Sequence, residues 1–131
     1  MPKTALIVED EIFVALDLER ILVDAGYEVR AIAADSAQAF AAAPACSFAF
    51  VDVNLRDGPT GPGIAERIAR EYGVKVVFVT ANPGQIGTVP AALGYVRKPF
   101  SDQAILAAAA VAAAEQNAAA DADFIRLDQL G

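Results

Sequence analysis

With 131 residues, one cysteine and no histidine, the chain has the length of a single domain and lacks the parts for an internal disulfide, a Ser-His triad or a conventional zinc site. A formal charge of −7 and a sequence pI near 4.4 exclude the clustered Lys and Arg of a general nucleic-acid or anionic-membrane footprint. A hydrophobic content of 56% with mean hydropathy +0.40 fits a filled core rather than disorder.

The chain enters a short apolar strand directly from Lys3, which is neither a signal peptide nor a span of about 20 apolar residues. The expectation is a cytoplasmic protein with no membrane or nucleic-acid partner. Ala5-Leu6-Ile7-Val8 reads as a first buried strand running into Glu9, Asp10 and Glu11. One or two of these acids are accounted for by the positive N-terminus of a following helix, but three like charges at one strand end call for something more. That helix places Val14, Leu18, Ile21, Leu22 and Ala25 on one face and stops at Gly26. Tyr27 to Ala33 is a weaker strand, interrupted by Glu28 and Arg30 as suits a sheet edge, and Asp35 or Ser36 caps a short Ala-rich helix that ends before Pro44.

Phe48 to Val51 is an uninterrupted apolar run ending in Asp52, the pattern of a central parallel strand covered on both faces. A carboxylate there either caps the next helix or faces a ligand at the carboxyl end of the sheet. After a loop containing Gly58, Gly61 and Gly63, read as turn residues, Ile64, Ile68 and Tyr72 mark a helix closed by Gly73. Val74 to Val79 is a further buried strand leading to Thr80, and Tyr95 to Arg97 a short fifth one before Lys98-Pro99-Phe100. Ser101 caps a last helix with Ile105, Leu106, Ala109, Ala112 and Ala113 as its stripe. Cys46 reads as a small buried hydrophobe. Residues 119–131 form an Ala/Asp-rich tail, flexible or weakly docked through Phe124, Ile125 and Leu127, behind a domain of residues 1–118.

Strands alternating with helices predict an α/β fold, a flavodoxin-like doubly wound sheet of five parallel strands in the order 2-1-3-4-5. In that fold the strand ends gather Glu9 and Asp10, Asp52, Thr80 and Lys98. Clustered carboxylates repel one another unless a hard divalent cation neutralises them, and an all-oxygen set suits Mg²⁺. Asp52 is then a nucleophile forming an acyl phosphate, with Thr80 and Lys98 on the phosphoryl oxygens.

The motifs ALIVEDE, FVDVNL, FVTAN and YVRKPF resemble the four strand-end motifs of the response-regulator receiver domain of two-component signalling, over residues 4 to about 118. The resemblance implies Glu9 and Asp10 as the acid pair, Asp52 as phosphoacceptor, Thr80 and Lys98 as phosphoryl contacts, and Tyr95, with Thr80, as the switch. It implies Mg²⁺ held by Glu9, Asp10, Asp52 and the backbone carbonyl of Asn54, and a cis peptide before Pro99. It also implies a phosphoryl donor, either a sensor histidine kinase or a phosphotransfer protein; from its own Pro- and Gly-rich composition, residues 82–94, with the fifth strand and the last helix, are expected to form the surface that reaches a downstream protein.

One departure is plain. Between Thr80 and Tyr95, Pro83, Gly84, Gly87 and Pro90 disfavour the complete fourth helix usual in the family, so that helix is expected to be short or irregular. The shortening resembles a receiver subgroup with a Phe-Ala-Thr-Gly motif, matched only in part by Phe78-Val79-Thr80-Ala81. The expected whole is a stand-alone receiver that signals by conformational change and is not an enzyme beyond its own phosphorylation and dephosphorylation. Two alternatives stand beside it: a haloacid-dehalogenase-like phosphatase, which normally has a second acid where Asn54 lies, and a receiver-like interaction module that works without phosphorylation.

Overall fold

A computed structural model describes residues 3–116 and 118–128; the expected tail's residues 129–131, and Asn117 at the expected domain boundary, lie outside the described residues. The elements alternate as the apolar runs dictate: β1 (Thr4–Val8), α1 (Ile12–Asp24), β2 (Glu28–Ala33), α2 (Ser36–Ala42), β3 (Phe48–Val51), α3 (Gly61–Tyr72), β4 (Lys75–Thr80), β5 (Ala92–Arg97), α4 (Asp102–Ala112) and β6 (Phe124–Arg126). They form one sheet in the order β2-β1-β3-β4-β5-β6, parallel through β5 and antiparallel between β5 and β6. The doubly wound order 2-1-3-4-5 is therefore present, with a sixth strand added at the edge.

Successive residues of a strand point to opposite faces, so each buried strand serves two cores. On one face Ile7, Phe48, Phe50 and Val77 pack against Leu18 and Leu22 of α1 and Ile105 of α4. On the other, Leu6, Val51 and Phe78 pack against Ile64 and Ile68 of α3. Tyr27 meets Phe48 edge to face at 5.4 Å, and its hydroxyl donates to Glu115 at 2.7 Å, fastening the end of α1 to the end of α4. Asp35 and Ser101 accept the Gln38 and Ala104 amides as the caps of α2 and α4.

The structure corrects several expectations. Helix α1 stops at Asp24, which leaves Ala25 exposed and makes Ala15 part of the buried seam. Strand β5 starts at Ala92 rather than Tyr95, because Ala92 and Gly94 are small enough to lie buried in the sheet despite their weak strand propensity. The tail adds β6 because Phe124 finds a buried place beside β5; Ile125, expected to dock, is 40% exposed. The fourth crossover helix is reduced to one 3-10 turn at Pro83–Gln85. Among the described residues no helix is long and apolar enough to cross a membrane.

Candidate functional site

The carboxyl ends of β1, β3, β4 and β5 converge on a cleft of about 250 Å³ lined by Asp10, Glu11, Asp52, Thr80 and Lys98, with Asn54 and Asn82 at its rim. Backbone bonds fix this end of the sheet: the Asp52 amide donates to the Val8 carbonyl at 2.9 Å, the Glu9 amide to Ala33 at 2.8 Å and the Lys98 amide to Thr80 at 3.0 Å. Thr80 thus ends β4 itself, while Glu9, Asp52 and Lys98 are the first residues beyond β1, β3 and β5 and are positioned by these last ladder bonds.

Lys98 is the hub. Its ammonium donates to Glu9 Oε1 at 2.5 Å and Asp52 Oδ2 at 2.8 Å, and lies 3.5 Å from Glu11. Asp52 Oδ1 accepts the Val53 amide at 2.7 Å, so both oxygens of this nearly buried carboxylate are engaged. Glu9 lies beneath the cleft, 3% exposed, its second oxygen accepting the Glu11 amide at 3.3 Å. Burial pushes the Glu9 carboxyl up to about 7, with the Asp52 charge adding to the rise and the Lys98 hydrogen bond opposing it. Burial alone would lower the Lys98 ammonium; its bonds to Asp52 and Glu9 outweigh that and hold it above the ordinary lysine range.

One ammonium faces four acids, since Glu9, Asp10, Glu11 and Asp52 each bring a carboxylate oxygen to within 4.8 Å of the others. Among the described residues this is the group able to hold a metal ion, and its all-oxygen, anionic character fits a hard divalent cation. Glu11 was missed as a site residue because an acid before a helix reads as helix initiation; yet it makes no side-chain cap, and its carboxylate turns to Lys98 instead.

Thr80 is buried at the cleft wall, its hydroxyl accepting the Asn82 amide at 3.1 Å. Asn54 donates through its side chain to Gln85 Oε1 at 2.8 Å, tying the loop after β3 to the 3-10 turn after β4. Tyr95 stands apart from the acidic cleft, half-buried on β5 beside a second hollow lined by Asn82, Gln85 and Arg97. The peptide between Lys98 and Pro99 is cis.

Gly61, read from sequence as a turn residue, has a different job. A Cβ there would lie 2.0 Å from the Asp52 carbonyl oxygen and 2.7 Å from Val53 Cα, because the start of α3 packs directly on the end of β3. Its amide donates to the Val53 carbonyl at 3.0 Å. The loop is braced further by Asp57, which accepts from the Ser36 hydroxyl at 2.6 Å and the Thr60 hydroxyl at 2.7 Å; these bonds lower its pKa.

Residues 5–110 match the response regulator receiver domain. The chain belongs to that family. This receiver domain is 30% identical over 105 residues to the phyllosphere-induced regulator PhyR of Methylorubrum extorquens, covering 76% of this chain and 39% of that protein, so it spans well under half the length of that relative. It superposes on the receiver domain of the Erythrobacter litoralis PhyR response regulator with a TM-score of 0.79 at 28% identity, over 92% of this chain and 96% of that one. The response regulator PhyR of Brucella abortus matches with a TM-score of 0.70 at 29% identity, over 78% of this chain and 44% of that protein. Receiver domains are signalling modules of two-component systems that generally bind Mg²⁺ at an acidic pocket, and this chain has an acidic cluster of Glu9, Asp10, Glu11 and Asp52.

Proposed function

We propose that this receiver domain takes a phosphoryl group from the phosphohistidine of a sensor histidine kinase or phosphotransfer protein onto Asp52, and passes the signal to a downstream protein by a change of shape. The supporting observation is that Asp52, nearly buried at a strand end, is held 2.8 Å from the Lys98 ammonium inside a cluster of four carboxylates. An Asp52 oxygen attacks phosphorus, the P–N bond to the donor imidazole breaks with its electron pair returning to nitrogen, and an acyl phosphate forms. Lys98 follows the new charge, leaving Glu9 to bond a phosphoryl oxygen, and the Thr80 hydroxyl turns from the Asn82 amide to another. Mg²⁺, held by Glu9, Asp10, Asp52 and the Asn54 backbone carbonyl, supplies charge neutralisation when bound.

The readout lies where Thr80 roots the segment 82–94. Few backbone bonds hold residues 82–91, and Tyr95 borders them, so residues 82–94 together with β5 and α4 form the surface offered to the partner. Acetyl phosphate with Mg²⁺, followed by intact mass, tests the chemistry. Wild type gains one phosphoryl group and Asp52→Ala and Asp52→Asn gain none; a full adduct in either variant would refute the assignment. Multiple turnover of a phosphate ester would favour a phosphatase, and no reaction an interaction module. Lys98→Ala should keep Mg²⁺ binding yet lose the chemical-shift changes that phosphorylation brings to residues 82–97.

A further inference from the structure

The sixth strand sits on the outer edge of β5, pairing Gly94 with Arg126, Tyr95 with Ile125 and Val96 with Phe124, and the Leu127 amide adds a 2.9 Å bond to the Leu93 carbonyl. Gly94 shows how close this approach is. A Cβ at that position would lie 2.2 Å from the Ile125 carbonyl oxygen, 2.8 Å from the Phe124 ring and 3.1 Å from Arg126 Cα, and these three nearest atoms all belong to β6. The closest conflict for a side chain at residue 94 is therefore with the strand on the edge.

What holds β6 in place is nevertheless slight. Phe124 is its one buried side chain, and Ile125 is only partly covered, 40% exposed. The polar side chains of the segment bond within it: Arg126 pairs with Asp128 at 2.7 Å and lies over the Phe124 ring, while Asp121 accepts the Asp123 amide. Among the described residues, therefore, backbone bonds and the Phe124 ring are what join the segment to the sheet, and its departure leaves no charged group behind without its partner. The stretch leading to it turns at Ala114, whose φ of 58° is strained for a residue with a side chain.

We infer that the β5 edge is a strand-addition site for an extended peptide segment with an aromatic anchor, and that β6 is its exchangeable resident rather than a fixed part of the sheet. An exposed strand edge binds any extended chain through its backbone, with side-chain pockets setting the choice. Here the edge is prepared by Gly94 for close backbone approach and by the Phe124 pocket for an aromatic ring. Occupation by β6 and by a partner strand exclude each other, so the tail competes with such an aromatic-anchored segment for this edge. The inference does not depend on phosphorylation of Asp52.

The test uses the full chain and a synthetic peptide of residues 121–128. In Phe124→Ala, hydrogen exchange at the Leu127 amide should accelerate about tenfold or more while β1, β3 and β4 keep their protection. The peptide should then bind that variant, with shifts centred on Leu93 to Val96, and bind wild type at least about tenfold more weakly because the tethered strand competes at high effective concentration. Gly94→Ala combined with Phe124→Ala should fold and fail to bind. Gly94→Ala alone should detach β6 by steric conflict, giving a second route to the open edge. The inference is overturned if neither single variant releases the Leu127 amide, if the released Phe124→Ala chain ignores the peptide, or if adding Gly94→Ala leaves binding unchanged.

Discussion

The crossover from β3 to β4 runs through the twelve residues of α3 and buries Ile64, Ala65 and Ile68, whereas that from β4 to β5 passes through one 3-10 turn and buries Ile86. Both join neighbouring parallel strands, a task that usually takes a helix. The first is anchored by its own hydrogen-bond ladder and apolar face. The second has little of either: the Ile86 amide reaches Pro83, the Gln85 amide reaches Asn82, the Ala92 amide reaches Val89, and two further ties lead to Thr80 and Asn54 at the acidic cleft. Order in the short crossover is thus borrowed from the site, while order in α3 is its own. Under the proposed function, a segment so placed is expected to respond to events at the cleft, and a segment like α3 to brace against them.

The largest effect separating the two should appear in stability. Ile68→Ala, in the interior of α3 and fully buried, should cost about 3 kcal/mol of global stability, and Ile86→Ala about half that, because the short crossover can collapse around the gap. Urea unfolding of both variants decides it; equal losses would mean that the short crossover is as firmly built as α3.

Bracing itself can be broken at Gly61. Gly61→Ala places a methyl against the Asp52 carbonyl and should slow phosphoryl uptake about 10²-fold by displacing the acceptor, with the fold retained. Stopped reactions with acetyl phosphate would measure it, and an unchanged rate would show that α3 does not set the position of Asp52.

The shared strand end also carries a pH signature. Glu9 has its folded pKa raised from 4.5 to about 7, so the proton is bound more tightly in the folded state. The contribution is present in full below about pH 4.5 and is lost as pH rises through 7; unscreened it would be about 3 kcal/mol, and solvent screening brings it to about 2 kcal/mol in the metal-free protein. The Asp57 and Asp128 carboxyls are shifted the other way, and their stabilisation is lost only as pH falls below the ordinary carboxylate range. Urea titrations at pH 5 and pH 8 should therefore differ for wild type and converge for Glu9→Gln; a persisting difference would assign it to another group.

The smallest expected effect is the most local. Gln85→Ala removes the bond to Asn54 and should raise exchange at the Ile86 amide by the equivalent of about 1 kcal/mol, with α3 unaffected. Exchange at Ile86 that does not respond would detach the short crossover from the loop after β3.

Much of this was legible in the sequence for a definite reason. Runs such as Phe48 to Val51 are buried on both faces and must be apolar throughout, and the polar residue that ends each run marks the sheet's carboxyl edge. Asp10, Asp52, Thr80 and Lys98 were therefore visible as strand-end residues before any of them had a neighbour. What the sequence hid were close approaches between distant segments. Gly61 and Gly94 look like turn or breaker residues, and only the packing of α3 on Asp52 and of β6 on β5 shows why a side chain fails there. Ala92 hid the start of β5 because small residues carry little strand signal. Gln85 and Glu11 were unremarkable polar residues until folding brought them to Asn54 and Lys98.

The two margins of the sheet are guarded by unlike means. At β2 the guard is charge: Glu28 and Arg30 stand exposed, 3.7 Å apart, on a strand that would have to bury them to pair with another molecule. At β5 the guard is β6, which covers a run as apolar as Leu93 to Val96 and carries no such charge into the pairing beyond Arg126. The colloidal behaviour of the protein is then set by two different conditions, salt at one margin and the position of the tail at the other. The charged guard at β2 weakens as salt screens it, while anything that lifts β6 exposes a sticky ribbon, so solubility at fixed ionic strength becomes a readout of the tail's position.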